Sequence, residues 1–133
     1  MAVLLDTHVW VWWLSRDKRL KVAEQEGLDR LATRREACLS AISLWEAQMA
    51  YAKGRFQPLD GFDTWLRAAA VPEVVQILPI DVSVALALND LPRSVPSDPA
   101  DRLIVATARA HALALATHDA TIRRSRAVRL WKS

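Results

Sequence analysis

The sequence predicts an α/β fold in which helices cover both faces of a central, mostly parallel sheet, giving three α/β/α layers. Short apolar runs that stop at a polar residue are typical of buried strands, and Val3–Leu5, directly before Asp6, is the first of them. These runs alternate with stretches whose apolar residues recur at helical spacing, which is typical of a parallel sheet. Because no internal repeat or linker interrupts the chain, we expect a single domain over residues 1–133.

Two helices and a second strand are predicted to follow the first strand. Residues 8–14 are predicted to be helical, with three tryptophans giving a broad apolar surface. Leucines at helical spacing predict a second helix from Leu20 to about Ala32, weakened by Gly27. The apolar run at residues 37–42 predicts the second strand and contains the single cysteine, Cys38, which we expect in the core.

The segment Ser43-Leu44-Trp45-Glu46 has the form of a capping box at the start of a helix. It predicts a helix over residues 44–53, with Gly54 directly beyond its end. In this interpretation Ser43 caps the helix. Glu46 then lies in the first helical turn, next to the carboxyl end of the second strand.

The middle of the chain is predicted to add one strand between two short helices. Apolar residues at helical spacing predict a helix over residues 62–69 that ends near Pro72. Residues 74–80 form the third predicted strand and residues 82–88 the next helix, while the two prolines within residues 91–97 indicate a loop.

The best-marked helix begins at Asp98-Pro99-Ala100-Asp101. Aspartate is a preferred N-cap and proline is favoured at the first helical position, so the helix is predicted over residues 99–111. Asp101 is then its third residue, in the first turn. A short last strand is predicted at residues 127–131.

Four carboxylates are predicted to lie at one edge of the sheet. Asp6 ends the first strand and Asp119 follows the fourth, at residues 113–117, while Glu46 and Asp101 open helices. Strand ends and the helix starts that follow them share the carboxyl edge of a parallel sheet, where ligands bind. Each acid alone could simply stabilise a helix start, a contribution of ~0.3–1 kcal/mol. Four acids together repel one another unless a cation lies among them.

The predicted acidic cluster is suited to a hard divalent cation. Mg²⁺ and Mn²⁺ prefer oxygen ligands, and Mg²⁺ keeps several waters and takes one or two carboxylates directly. The three histidines, His8, His111 and His118, are scattered and do not have zinc-site spacing. Metal ions polarise phosphoryl oxygens, so an acidic metal site in a basic chain indicates a polyanionic substrate.

The charge distribution supports an anionic partner. The net charge is +3, and the last fourteen residues contain no acid. We interpret this basic tail either as a solvated surface or as a track for RNA; its cations are Arg123, Arg124, Arg126, Arg129 and Lys132. Arg102, beside Asp101, either contacts phosphate or orients a carboxylate by an ion pair.

Apolar runs and cysteine content indicate the cellular compartment in which the protein is expected. No apolar run approaches the ~20 residues that a membrane span needs, and no basic region precedes the apolar start. A single cysteine is typical of proteins from a reducing compartment. We therefore expect a cytoplasmic protein without a membrane partner.

These residues resemble the PIN-domain family, and specifically its VapC-type toxins of type II toxin–antitoxin pairs. The resemblance covers essentially the whole chain and is carried by Leu4-Leu5-Asp6-Thr7-His8, Ser43-Leu44-Trp45-Glu46, Asp98-Pro99-Ala100-Asp101-Arg102-Leu103-Ile104 and Thr117-His118-Asp119. It implies a five-stranded parallel sheet and a Mg²⁺- or Mn²⁺-dependent endoribonuclease. By this resemblance, Asp6 and Asp101 match the direct metal ligands of the family. Glu46 and Asp119 match acids that act partly through water and position the nucleophile.

The resemblance also implies supporting residues and partners. Thr7 and Ser43 match small hydroxyl residues that support the site, and Asp98 matches a frequent acid, which we interpret as a cap and a support. Such toxins typically form homodimers and bind an antitoxin that covers the site. The candidate groove for the antitoxin is aromatic and apolar, although its residues could equally fill the core; they are Trp45, Met49, Tyr51, Phe56, Phe62 and Trp65.

Two alternative functions remain open at this point. A catalytically silent PIN-like module would bind RNA or protein through the same surfaces, although the intact acidic quartet argues against it. A Mg²⁺-dependent phosphatase or receiver-like domain would carry an Asp-x-Asp motif at the first strand, whereas His8 stands two residues after Asp6.

Overall fold

The computed structural model describes residues 1–133 and contains four strands and seven helices. The strands are β1 (Val3–Leu5), β2 (Ala37–Ser40), β3 (Gln76–Leu78) and β4 (Ala114–Ala116). The helices are α1 (Thr7–Leu14), α2 (Val22–Thr33), α3 (Ala41–Ala52), α4 (Phe62–Ala69), α5 (Val82–Asn89), α6 (Pro99–Ala110) and α7 (Ala120–Ser125). None of these helices has the length and apolarity that crossing a bilayer requires.

The four strands form one sheet, which is parallel throughout, in the order β3-β2-β1-β4. Successive residues of β1 point to opposite faces, so Val3 and Leu5 belong to one apolar cluster and Leu4 to another. Buried residues of α1 and α2 complete the first cluster, and buried residues of α6 and α7 complete the second. The three-layer α/β/α fold is therefore confirmed.

The predicted last strand is wrong, and the sheet has four strands instead of five. Residues 127–131 contribute only one parallel bridge, between Leu130 and Leu115. Directly after that bridge the side chain of Trp131 packs against α2 at Gly27. The pairing beside β4 therefore does not extend beyond a single residue.

The predicted start of the third helix is also wrong. The helix begins at Ala41, and its N-cap is Ser40, whose hydroxyl oxygen accepts a hydrogen bond of 3.2 Å from the Ile42 amide. Ser43 is therefore a buried residue inside α3, and Glu46 lies in the second turn rather than the first. The apolar residues Ala41 and Ile42 look like a continuation of β2, but the backbone turns at the capping serine.

Local signals elsewhere are confirmed. Asp98 caps α6 by accepting a hydrogen bond of 3.0 Å from the Asp101 amide, with Pro99 at the first position. Cys38 lies in the core, 6% exposed. Helix α7 was not predicted; it begins directly after Asp119, whose Oδ1 accepts 2.9 Å from the Ile122 amide. The acids and the serine that end strands thus start helices at the carboxyl edge of the sheet.

Candidate active site

A cavity of about 540 Å³ opens at the carboxyl edge of the sheet, and we call it the main cavity. Three of the four predicted acids line it: Asp6 from the end of β1, Glu46 from α3 and Asp101 from the first turn of α6. Other lining residues include Thr7, His8, Trp12, Arg19, Arg55 and Phe56. The strand order contributes to this convergence, because β1 is an inner strand of the sheet and α3 directly follows its neighbour β2.

Asp6 is the most rigidly held acid of the site. Its side chain is 4% exposed, and each carboxylate oxygen accepts one hydrogen bond. Oδ1 accepts 2.8 Å from the Thr7 amide, which caps α1, and Oδ2 accepts 2.6 Å from the Thr117 hydroxyl. His8 Nδ1 lies 3.6 Å from Oδ2. A carboxylate fixed in this way presents its remaining lone pairs in a constant direction.

Glu46 is connected to the start of α1 through the Thr7 hydroxyl. The Thr7 hydroxyl donates to Glu46 Oε1 and lies 2.7 Å from the Ser43 Oγ. Since the single Thr7 proton is donated to the carboxylate, Ser43 donates to Thr7. Burial raises the pKa of Glu46, and the charges of Asp6 and Asp98 raise it further, while the Thr7 hydrogen bond opposes them.

Asp101 lies among other carboxylates. Its pKa is raised to about 7, mainly by burial and further by the charges of neighbouring acids. In decreasing order of effect, these acids are Asp6, Asp98, Asp119 and Glu46. The Asp101 carboxylate makes no hydrogen bond or ion pair within the chain, and no basic group lowers its pKa. All the predicted acids are therefore close enough to act on one another electrostatically.

Asp119 is set apart from the other three acids. One of its oxygens caps α7, and the residue does not line the main cavity, although its charge reaches Asp101. No group of three or more acidic, histidine or cysteine side chains converges closely enough to hold a metal ion without help. The site is thus a loose set of oxygen ligands rather than a preformed cage.

The residues predicted to support the site differ in whether they contact the acids. Thr7 contacts Asp6 and Glu46 directly, whereas Ser43 reaches them only through the Thr7 hydroxyl. Asp98 caps α6, as described above. Arg102 forms neither an ion pair nor a side-chain hydrogen bond in the structure. Thr117, which holds Asp6, was not singled out in the sequence; its position between β4 and Asp119 was the available signal.

The residues predicted to form the antitoxin groove line more than one cavity. Trp45, which is 53% exposed, and Met49 line a cavity of about 330 Å³ beside the start of α6. Phe56 and Trp65 line a different cavity of about 500 Å³, and their rings pack against each other with centroids 4.6 Å apart. Trp65 also packs against Trp10 in the core. Phe56 also lines the main cavity, which shares Glu46 and Arg55 with the Trp45 cavity, so the groove stays a prediction.

A parallel α/β/α sheet with carboxylates gathered at its carboxyl edge is the architecture that the sequence resemblance implied. Residues 3–127 match the PIN domain family, and the chain belongs to it. Within that family it is 38% identical over 125 residues to Ribonuclease VapC22 of Mycobacterium tuberculosis, covering 94% of this chain and 92% of the relative. The resemblance to VapC-type proteins is therefore confirmed.

Solved structures share the fold. A chain of VapBC2 from Rickettsia felis, bound to a DNA fragment from its promoter, superposes with a TM-score of 0.75 at 18% identity, covering 98% of both chains. A chain of a toxin–antitoxin complex from Klebsiella pneumoniae superposes with a TM-score of 0.61 at 20% identity, covering 89% of this chain and 87% of that one. At these identities the likeness is one of fold.

Proposed function

We propose that the chain is a metal-dependent endoribonuclease and the toxin of a toxin–antitoxin pair. The observation that carries the proposal is the crowding of carboxylates around Asp101, whose pKa is raised to about 7 by burial and by four neighbouring acids. Such crowding is unfavourable unless a cation lies among the acids. The identity to a protein named a ribonuclease supports RNA as the substrate.

The donor set suits Mg²⁺ or Mn²⁺. Carboxylate oxygens are the preferred ligands of these ions, and a loose set fits Mg²⁺, which keeps several of its waters. Asp6 and Asp101 are the proposed direct ligands, and Glu46 and Asp119 are proposed to act partly through water. When bound, the ion would polarise a phosphoryl oxygen and stabilise the charge of the leaving oxygen.

The protein's own residues would orient the reaction. Asp6 cannot rotate freely because both of its oxygens are held, so it fixes one wall of the site. Glu46 has Oε1 occupied by the Thr7 hydroxyl, which leaves Oε2 free to accept a proton from the attacking water. Its raised pKa makes it a better base than an ordinary glutamate. Arg55, which lines the same cavity, is proposed to hold a phosphate beside the cleaved bond.

Cleavage of RNA by the purified chain, free of any antitoxin, tests this proposal. The reaction is run with Mn²⁺, with Mg²⁺ and with EDTA, beside Asp101→Asn and the exposed carboxylate variant Asp60→Asn. We expect metal-dependent cleavage that Asp101→Asn loses and Asp60→Asn retains. Full cleavage by Asp101→Asn would refute the assigned role. Metal binding without cleavage of any RNA would favour the catalytically silent binding module.

The proposed antitoxin contact is the exposed surface formed by Trp45 and Met49. It lies directly beside Glu46 and Asp98, so a segment bound there would also cover the acids. Trp45→Glu is expected to abolish co-purification of the cognate antitoxin. Leu59→Glu places the same charge at a fully exposed position beside the cavity of Phe56 and Trp65. This variant is expected to retain co-purification of the antitoxin. The opposite result would move the contact to the Phe56 and Trp65 surface.

A homodimer is the remaining part of the proposal. Exposed apolar side chains on and beside α5 are candidates for its interface; they are Ile80, Val82 and Leu86. Sedimentation of the purified chain tests the dimer. A monomer at high micromolar concentration would exclude it.

A further inference from the structure

Another cavity, of about 390 Å³, opens beside the candidate active site, and we call it the basic cleft. It lies between the start of α2 and the end of the chain. Three cationic side chains line it, Lys21, Arg123 and Lys132, together with the indole of Trp131. All three cations are solvent-exposed, so their charges are available to a ligand.

The single acidic side chain in the basic cleft is already engaged. Glu24 Oε1 accepts 3.0 Å from the Lys21 backbone amide, and its Oε2 lies 2.6 Å from His118 Nε2. Both oxygens of Glu24 have hydrogen-bond partners, and none of the three cations forms an ion pair. The Arg123 guanidinium donates 3.0 Å to the Thr117 carbonyl. With three cations and one acid, the basic cleft carries a positive charge that suits an anion.

The basic cleft and the main cavity share a wall. His118, which lines the cleft, donates a 3.0 Å hydrogen bond from its backbone amide to Nε2 of His8, which lines the main cavity. Its ring also packs edge-on against Trp12, another main-cavity residue, at 5.6 Å between centroids. A chain of phosphates that leaves the main cavity past His118 would therefore enter the basic cleft.

The far side of the basic cleft is held in place by packing on a glycine. Gly27 lies inside α2, and a Cβ at this position would be 2.8 Å from the indole of Trp131. The absence of a side chain lets the indole lie directly against the helix backbone. Trp131 is further tied to the sheet by its amide, which donates 2.9 Å to the Leu115 carbonyl. Lys132 is thus carried on a docked segment.

We propose that the basic cleft binds the single-stranded RNA that adjoins the cleaved bond. Its phosphates lie on Lys21, Arg123 and Lys132, and a base packs against the exposed part of Trp131. Cationic grooves that also carry an aromatic side chain are the usual solution for single-stranded nucleic acid. This assignment depends on the proposed function for its substrate class, whereas the cleft itself is separate from the acids.

An acidic protein segment is the alternative occupant of such a surface. RNA is favoured because the cleft continues directly from the site at which a phosphodiester would be cut. The indole adds a flat surface for a base, which an acidic segment does not require.

Binding of a short fluorescent single-stranded RNA tests the proposal. Anisotropy is measured without metal on the Asp101→Asn protein, which prevents cleavage. Lys21→Gln/Lys132→Gln is expected to weaken binding about 10–30-fold at 0.1 M salt and to reduce the salt slope by about 1.4. The matched control is Arg34→Gln/Arg35→Gln, which removes two charges at the opposite edge of the sheet, directly before β2.

The outcomes separate the cleft from the nuclease proposal. Equal weakening by the two double variants, or no RNA binding at all, would overturn the basic cleft as an RNA site. An acidic peptide that binds with the same lysine dependence, when RNA does not, would assign the cleft to a protein. If the chain cuts no RNA but its RNA binding depends on the two lysines, the cleft stands and the nuclease fails.

A kinetic measurement adds a second test in the metal-loaded protein. Lys21→Gln/Lys132→Gln is expected to raise KM for a long RNA with kcat unchanged. Cleavage of a dinucleotide, which cannot reach the basic cleft, is expected to be unaffected. An equal loss on both substrates would contradict the assignment.

Discussion

Asp101→Asn is expected to stabilise the metal-free protein, although it removes a proposed metal ligand. The carboxylate lies among four other acids and has no hydrogen bond to lose. Its pKa of about 7 in the folded chain lies above the ordinary value of 3.8, so the folded state binds more protons between these values. The contribution of Asp101 to stability is therefore most favourable below about pH 4, falls as the pH rises through this interval, and levels off above about pH 7.

The size of the effect follows from the same pKa. Converted in full, the difference between 3.8 and about 7 corresponds to about 4 kcal/mol. Asp101 is only half-buried, so solvent screening reduces this figure, and the loss of a favourable charge in the first helical turn reduces it again. We expect a net gain of about 1–2 kcal/mol at pH 8, which raises Tm by about 3–10 °C in a domain of this size.

Thermal unfolding of wild type and variant measures this gain at several pH values. In EDTA the gain should be present at about pH 8 and almost absent at about pH 4. Added Mg²⁺ or Mn²⁺ should raise the Tm of the wild type and have less effect on Asp101→Asn, because a bound ion stabilises only the state that holds it. Asp60→Asn, at an exposed position, controls for the change in net charge.

Two results would refute this reasoning. If Asp101→Asn were no more stable than the wild type at pH 8, the carboxylates would not be repelling one another. If the gain persisted unchanged at about pH 4, it would come from something other than ionisation.

Three further predictions concern single contacts. In Gly27→Ala the new methyl group would overlap the indole of Trp131 at 2.8 Å, a cost of about 1–3 kcal/mol. This cost should cancel or exceed the gain of about 1 kcal/mol that alanine gives inside a helix, so the variant should be no more stable than the wild type and should show changed Trp131 fluorescence. A gain of about 1 kcal/mol with unchanged fluorescence would show that the indole is not docked. Thr117→Val should cost about 1.5–3 kcal/mol in denaturant unfolding, since it removes the 2.6 Å hydrogen bond to a buried Asp6 oxygen; equal stability would mean that water replaces the hydroxyl. Ser40→Ala should lower the free energy of unfolding by about 1 kcal/mol in the same assay, because the α3 cap is lost. A negligible loss would contradict Ser40 as the cap.

The parts of the fold that the sequence predicted correctly depend on short-range signals. Asp98 and Pro99 specify the start of α6 because capping and the proline ring act within one turn. The same kind of signal gave a wrong helix start at Ser43. Ser43 and Glu46 have the spacing of a capping box, although the cap of α3 is Ser40. Two serines within one turn of each other compete as caps, and the outcome depends on where the strand packing ends.

The parts that could not be predicted depend on contacts between distant residues. The hydroxyl of Thr7 joins Ser43 and Glu46, which lie 36 and 39 positions away along the chain, and no local pattern connects them. Gly27 looks like a weak point of α2 until Trp131 is seen to occupy the space that it leaves. The placement of the aromatic residues along several adjoining cavities likewise depends on how α3 and α4 pack.

The hydrogen bonds that cap helices divide the four acids into two pairs, one needed for folding as well as for the proposed chemistry and one needed for the chemistry alone. Asp6 and Asp119 each use a carboxylate oxygen to start a helix, so their replacement disturbs folding as well as chemistry. Asp101 and Glu46 start no helix. If the proposed function holds, a genetic screen for non-toxic variants is expected to return changes at Asp6 as poorly accumulating protein and changes at Asp101 as abundant, folded and inactive protein. The Asp101 variants are then the ones expected to bind partner molecules still, so they are the proteins to use in pull-down experiments.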